Sequence, residues 1–276
     1  MKIAISSESS VDLDKVLLEK YDIHVLPYQI LLGDRIETDG QISPEEIFDY
    51  AQKNKILPKT SALNSEEYKY FFEELLKSYD KVIHLSLSSG ISSTFYNAQK
   101  AAEGLENVTV IDSSSLSTGI GIKAIRLREL LESGMPEVEA IENIKNMKVQ
   151  VSALISKLDY MYKGGRCSSL AYFGANLLKL KPRIVVLDGK VKSSHIYRGK
   201  FEKAFKDYVL DTLKEFPAKK EFVSITYTTA SQELLNQAKE ICEEQGFKNV
   251  IFTQAGATVS CHCGENCIGI MYECLK

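Results

Sequence analysis

The residues best suited to chemistry sit in a few short stretches. The densest is Leu85-Ser86-Leu87-Ser88-Ser89-Gly90-Ile91-Ser92-Ser93-Thr94-Phe95-Tyr96-Asn97-Ala98, a hydroxyl-rich turn between an apolar run and a helix-like run. The first turn of a helix leaves backbone N–H groups unpaired and carries the positive end of the helix dipole. Serines there let an anion approach those donors and add hydroxyl donors of their own. The segment therefore suits a phosphate or a carboxylate. It equally suits an ordinary serine N-cap, and its composition alone leaves both readings open. Lys59-Thr60-Ser61-Ala62 offers further loop hydroxyls, or a second capping motif. Tyr162-Lys163-Gly164-Gly165-Arg166 pairs a sharp glycine turn with an arginine that can fork onto a carboxylate or phosphate. Taken singly it is also a flexible turn with an exposed cation.

Cys261-His262-Cys263-Gly264-Glu265-Asn266-Cys267 has the residue types of a zinc site. Its spacing is wrong for one, because no second C-x-x-C pair exists, so no metal is expected. The tail cysteines are expected to be reduced, with Cys261 and Cys263 flanking His262 on a strand and pointing away from it. His262 then serves as a hydrogen-bond partner for an anion or as a tuned base.

These residues need elements to hold them. Met1–Ser6, Val82–Leu85 and Asn107–Asp112 read as short buried strands. Helical spacing follows over Val11–Tyr21, after Ser65, from Thr94, from about Gly121 to Ser133, and after Pro136. Ser43-Pro44-Glu45-Glu46 opens another helix with proline at its first position. Ile23–Leu32 reads as one β-like run. Strands alternating with helices imply βαβ units and a parallel sheet, whose ligands bind beyond the carboxyl ends of the strands. The serine-rich stretches after Ile5, Leu85 and Ile111 all fall at that edge.

After about residue 158 the pattern changes. Ile184–Lys192 reads as a hairpin around Asp188-Gly189, and helices and strands then mix up to a final strand at Ile268–Tyr272. The expected fold is α/β in two domains. Residues 1–158 form a mostly parallel sheet with flanking helices, and residues 159–276 form an α+β sandwich.

With 276 residues, 44% hydrophobic and 26% charged, the chain has the composition of a globular protein. A net charge of −3 gives no global attraction to nucleic acid or anionic membrane. No apolar run approaches the ~20 residues that span a bilayer, and no signal-peptide pattern opens the chain, so a cytoplasmic location is expected. There is no G-x-S-x-G elbow and no phosphate-binding loop for ATP, and Gly119-Ile120-Gly121 lacks the third glycine of a dinucleotide fingerprint.

Taken in order, these motifs resemble the DegV family, whose characterised members are bacterial fatty-acid-binding proteins (FakB type) that serve a fatty acid kinase. The resemblance is carried by Ser7-Glu8-Ser9-Ser10-Val11-Asp12-Leu13, Lys59-Thr60-Ser61 and Ser88-Ser89-Gly90-Ile91-Ser92-Ser93-Thr94-Phe95. It continues through Asp112-Ser113, Lys163-Gly164-Gly165-Arg166, Lys179-Leu180-Lys181-Pro182 before Asp188-Gly189-Lys190, and the His262 tail. Two positions depart from the family pattern. Cys261-His262-Cys263-Gly264-Glu265-Asn266 stands where the family commonly has Thr-His-Thr-Gly-Pro-Gly, and Ser93 stands where the turn often carries glycine.

The resemblance implies a long-chain fatty acid as ligand, lying in a tunnel at the domain junction, with no cofactor and no catalytic residue in this chain. It assigns the carboxylate to Thr60, Ser61, Ser92, Ser93, Arg166 and His262. It implies a fatty acid kinase subunit as partner, and transient membrane contact is a further expectation. Lys190, Lys192, Arg198, Lys200 and Lys203 form the basic patch expected to meet such a partner, or else a solvated charged face. A rival reading is an enzyme acting on a small carboxylate or phosphate through His262 and Arg166. A zinc-dependent regulator built on the tail cysteines is a third.

Overall fold

The computed structural model describes residues 1–167 and 180–275. Its N-terminal half runs β1 (Ile3–Glu8), a 3-10 turn at Ser9–Val11, α1 (Lys15–Lys20), β2 (Ile23–Leu26), β3 (Gln29–Leu32), β4 (Arg35–Thr38), α2 (Pro44–Asn54), β5 (Lys59–Ser61), α3 (Ser65–Leu76), β6 (Lys81–Ser86), α4 (Thr94–Ala102), β7 (Val108–Asp112), α5 (Thr118–Glu132) and α6 (Glu137–Asn146). The rest runs β8 (Val149–Leu154), α7 (Leu158–Lys163), β9 (Leu180–Leu187), β10 (Lys190–Arg198), α8 (Phe201–Glu215), β11 (Phe222–Tyr227), α9 (Gln232–Glu244), β12 (Asn249–Gln254), α10 (Ala257–Cys263) and β13 (Ile268–Glu273).

The first sheet is parallel, in the order β2-β1-β6-β7. Its central strands β1 and β6 are buried on both faces, as a sheet covered by helices requires. Ile5, Ile83 and Leu85 pack with Phe72 of α3, Ala98 of α4 and Ile120 of α5. The second sheet is mixed, in the order β10-β9-β8-β13-β11-β12. On one of its faces Val223, Ile225 and Ile270 meet Phe205 and Val209 of α8 and Leu235 and Ile241 of α9. On the other, Val151 and Met271 meet Ile122 of α5. Helix α5 thus lies between the sheets. Gly119 and Gly121 permit that closeness: a Cβ on Gly119 would fall 2.3 Å from Val151, and one on Gly121 2.6 Å from Leu13. A small antiparallel sheet, β4-β3-β5, completes the fold.

The two-domain α/β arrangement read from the sequence is present. Strand β8 lies within the stretch read as the first domain, yet it is hydrogen-bonded between β9 and β13 of the second sheet. Two elements of the N-terminal half differ from expectation. Ile23–Leu32 is two strands in two sheets, because Pro27 cannot donate to a ladder and separates them. Val11–Tyr21 is not one helix. Asp12 takes a left-handed conformation (φ 49°), and α1 begins only after Asp14, whose carboxylate caps Leu17 N–H at 2.8 Å. The Asp188-Gly189 hairpin is present as β9–β10, while Lys179 of the Lys179–Pro182 stretch lies outside the described residues. Among the described residues no helix is long and apolar enough to cross a membrane.

Candidate ligand site

The serine-rich loops leave the carboxyl ends of β1, β6 and β7, and buried carboxylates fix them there. Glu8, at the end of β1, accepts hydrogen bonds from Tyr68 Oη, Ser86 Oγ (2.7 Å) and Leu87 N–H (2.9 Å), with His84 Nε2 at 3.2 Å. Burial alone would raise its pKa. His84 and the hydrogen bonds from Tyr68 and Ser86 outweigh that and hold the carboxyl below its usual range. Asp112, at the end of β7, accepts Ser89 Oγ at 2.5 Å and Ser114 N–H at 2.8 Å, tying the β6 loop to the β7 loop. Ser88 Oγ donates to Gly189 O at 2.7 Å, so the turn of the β9–β10 hairpin rests on the same loop.

A further pair of buried carboxylates grips α10. Asp12 accepts Gly256 N–H at 2.8 Å, and Asp39 accepts Ala257 N–H at 2.8 Å and Thr258 N–H at 3.3 Å. These are the free donors of the helix's first turn, at the positive end of its dipole. Asp39 also accepts Ser9 Oγ (2.7 Å), and Asp12 accepts Ser117 Oγ. Burial, with Asp39 nearby, pushes the Asp12 carboxyl up to about 8.

Between these loops and the inner face of the second sheet lies a cavity enclosing about 1040 Å³, counting the part open to solvent. Its body is aliphatic: Leu87, Ile91, Val151, Ile155, Val185, Val191 and Met271 line it. Its polar wall is supplied by the segments the sequence singled out. Thr60 and Ser61 come from β5, Ser92 from the turn before α4, Arg166 from the glycine turn after α7, and His262 from α10. Thr60, Ser92 and His262 are half-buried, whereas Ser61 and Arg166 are exposed at the rim. Arg166 Nη1 donates to Gly164 O at 2.7 Å. Ser93 is the N-cap of α4; its side chain is exposed, makes no capping bond and does not line the cavity.

His262 Nε2 lies 2.9 Å from Thr60 Oγ1, and Nδ1 is buried without a partner among the described residues. Burial, reinforced by the charge of Arg166, lowers the imidazole pKa to about 4, so the ring is neutral at physiological pH. An orphaned N–H is rarer than an orphaned lone pair. The hydrogen-bond network therefore assigns the proton to Nε2, which donates to Thr60 and leaves the Thr60 hydroxyl free to donate onward. Tyr28, absent from the sequence reading, is buried in the same wall. Its Oη donates to Thr94 Oγ1 at 3.2 Å and lies beside the hydroxyls of Ser10 and Ser92. Burial and the charge of Glu8 keep this phenol protonated, a fixed donor. The buried hydroxyl of Thr258 also lines the cavity and carries no hydrogen bond among the described residues.

The expectation of a strand at Cys261-His262-Cys263 is corrected: these residues end the helix α10. Alternation of Cys and His looks strand-like, but Asp12 and Asp39 accept the free N–H groups of the first turn and so stabilise helix at this point. Cys261 packs with Ile30 and Phe48, while Cys263 packs with Ile155 and Val259. Among the described residues no three His, Cys, Asp or Glu side chains converge as metal ligands. Among the described residues no carboxylate stands behind His262 Nδ1 to complete a nucleophile–base–orienter arrangement. What the wall does offer is converging neutral donors, one cation at the rim and an apolar body.

A family model described as "Uncharacterised protein, DegV family" matches residues 2–274. The chain belongs to the DegV family. The protein DegV of Bacillus subtilis is 30% identical, over all of both chains. The solved structure of DegV, a fatty acid binding protein from Bacillus subtilis, is 26% identical with a TM-score of 0.86, again over all of both chains. A fatty-acid-binding DegV family protein from Thermus thermophilus is 25% identical, with a TM-score of 0.89 over all of both. The DegV likeness therefore takes in both large sheets.

Proposed function

We propose that this protein binds a long-chain fatty acid with its acyl chain in the cavity and its carboxylate at Thr60, Ser61, Ser92, Arg166 and His262, with the Ser93 backbone at the helix start. The observation that carries the reading is an aliphatic cavity ending on converging hydroxyl donors. A carboxylate without partners is costly to desolvate, and several neutral donors reduce that cost. Each buried methylene contributes about 0.8 kcal/mol, so ten contribute roughly 8 kcal/mol before association costs. Family relatives described as fatty-acid-binding support the same ligand.

The bound acid is presented to a separate fatty acid kinase for acyl phosphate formation. The chain itself has no phosphate-binding loop for ATP. Lys190, Lys192, Arg198, Lys200 and Lys203 are exposed along β10 and the start of α8, and Gly189 of the same hairpin touches Ser88 of the site. An acidic kinase surface landing there would lie close to the carboxylate. Titration with a fluorescent fatty acid tests the binding. Thr60→Val should weaken affinity about tenfold, the equivalent of one charge-assisted hydrogen bond, whereas Thr60→Ser should preserve it. Absence of saturable binding would overturn the proposal. Incubation of the protein alone with fatty acid, ATP and magnesium should yield no acyl phosphate.

A further inference from the structure

Several buried serine and threonine residues line the cavity, and most of their hydroxyls are bonded within the protein. Ser117 bonds to Asp12, Ser152 to Tyr208 Oη at 2.8 Å, Thr226 to Thr118 Oγ1 at 2.6 Å, and Thr228 to Gly264 O at 2.6 Å. Ser10 and Thr258 differ. They line the same cavity at 0% and 6% exposure, and neither hydroxyl has a hydrogen-bond partner among the described residues. The two come from distant parts of the chain that carboxylates bind together. One oxygen of Asp39 accepts both Ser9 Oγ, at 2.7 Å, and Thr258 N–H, at 3.3 Å. Asp12 accepts Gly256 N–H at 2.8 Å, and Ser9 Oγ accepts Tyr28 N–H at 3.1 Å. Ser10 therefore lies between two anchored residues, beside a helix turn anchored by the same pair of carboxylates. Buried hydroxyls normally find a partner, so two left free in one wall point to a group on the ligand.

We propose that Ser10 and Thr258 form a second polar subsite, which takes a neutral oxygen near the carboxyl end of the ligand: the hydroxyl of a β-hydroxy fatty acid. The inference rests on the fatty-acid reading of the cavity. A hydroxyl both donates and accepts, so one of the pair can accept from a ligand hydroxyl while the other donates to it. An anion does not suit this place. The Asp39 oxygen that takes Thr258 N–H would stand close to it, and like charges held close disfavour each other. The carboxylate belongs toward Arg166 and His262, and the neutral oxygen toward Ser10 and Thr258. Thr258 and His262 are four positions apart on α10, on one helix face and about 6 Å apart along its axis. That span covers only the first few carbons of an acyl chain whose carboxylate sits at His262. A hydroxyl further along the chain would meet aliphatic wall, where an unpaired polar group is costly to bury.

The test displaces a fluorescent fatty acid from the full chain with palmitic, β-hydroxypalmitic and ω-hydroxypalmitic acids. We expect β-hydroxypalmitic acid to bind at least as tightly as palmitic acid, and ω-hydroxypalmitic acid to bind more weakly than both. The readout is the ratio of the β-hydroxy to the unsubstituted affinity, which a general loss of folded protein does not move. That ratio should fall about tenfold in Ser10→Ala and in Thr258→Val, the equivalent of one buried hydrogen bond, and be kept in Thr258→Ser. Removing hydroxyls that have no partner in the protein should not lower the melting temperature. A ratio unchanged in both variants would overturn the subsite, as would an equal advantage for the ω-hydroxy acid. Palmitic acid binding with the β-hydroxy acid excluded would overturn the subsite and leave the fatty-acid reading standing. Binding of none of the three acids, or of the fluorescent one, would overturn the fatty-acid reading and the subsite with it.

Discussion

His262 works as a neutral donor because its surroundings deny it a proton. Its ring is half-buried with Nδ1 enclosed, Arg166 adds positive charge nearby, and among the described residues Nδ1 faces Gly164 rather than a carboxylate. The NMR signals of His262 should accordingly show no titration between pH 5.5 and 8, with protonation only as the pH approaches about 4. Gly164 is part of this device, since a Cβ there would stand 2.8 Å from His262 Nδ1 and 2.8 Å from Tyr160 O. One of those contacts is backbone and cannot yield, so Gly164→Ala should tilt the ring away from Thr60. We expect at least a tenfold weaker fatty acid affinity in that variant by fluorescence titration, together with a lowered melting temperature from the backbone contact. Several of these residues were legible in the sequence. Thr60, Ser92 and His262 carried a chemical type at a motif position. Tyr28 did not: it follows Pro27 in a run that read as one strand, and only the fold turns its phenol toward Ser10 and Ser92. Ser93 enters the reading through its backbone amide at the helix start, and its exposed side chain makes no capping bond.

At the scale of elements, α10 is a short helix held by its first turn. Asp12 and Asp39, from segments near the start of the chain, accept its free N–H groups and so set where His262 arrives. Asp39→Asn should cost about 1–3 kcal/mol of stability, measured by urea unfolding, because buried N–H groups lose a charged acceptor. Asp12 behaves oppositely to a typical carboxylate. The folded chain keeps its proton up to about pH 8, while the unfolded chain loses it near pH 3.8. Across that window the folded state binds the extra proton, so this group's contribution to stability falls as pH rises. Asp12→Asn should flatten the decline in melting temperature between pH 5 and 8; an unaltered slope would show that Asp12 does not titrate there. The sequence revealed most elements because period and capping agree: Ser43 with Glu46 forms the expected capping box on α2. It concealed α10. Seven residues are too few for a clear period, and the carboxylates that stabilise the helix lie more than 200 positions away in sequence.

At the scale of the molecule, the cavity exists because two sheets share α5 and leave an apolar gap between them. The parallel first sheet was evident from alternating strands and helices. The membership of β8 was not, since Val149–Leu154 continues that alternation while pairing with strands from the far end of the chain. The basic edge along β10 has its own consequence. Steering by exposed charge acts on association rate and weakens with salt. Arg198→Glu combined with Lys200→Glu should slow acyl phosphate formation by a kinase partner at low ionic strength and leave fatty acid affinity unchanged. An unaltered rate would make this face a solvated surface only. The central claim, that the gap between the sheets holds a fatty acid, has a direct measurement: heat-denature the purified protein, extract with organic solvent, and quantify lipids by mass spectrometry against protein. We expect long-chain fatty acid approaching one per chain, reduced in Thr60→Val. Extracts without fatty acid, combined with no uptake when the acid is supplied in excess, would contradict it.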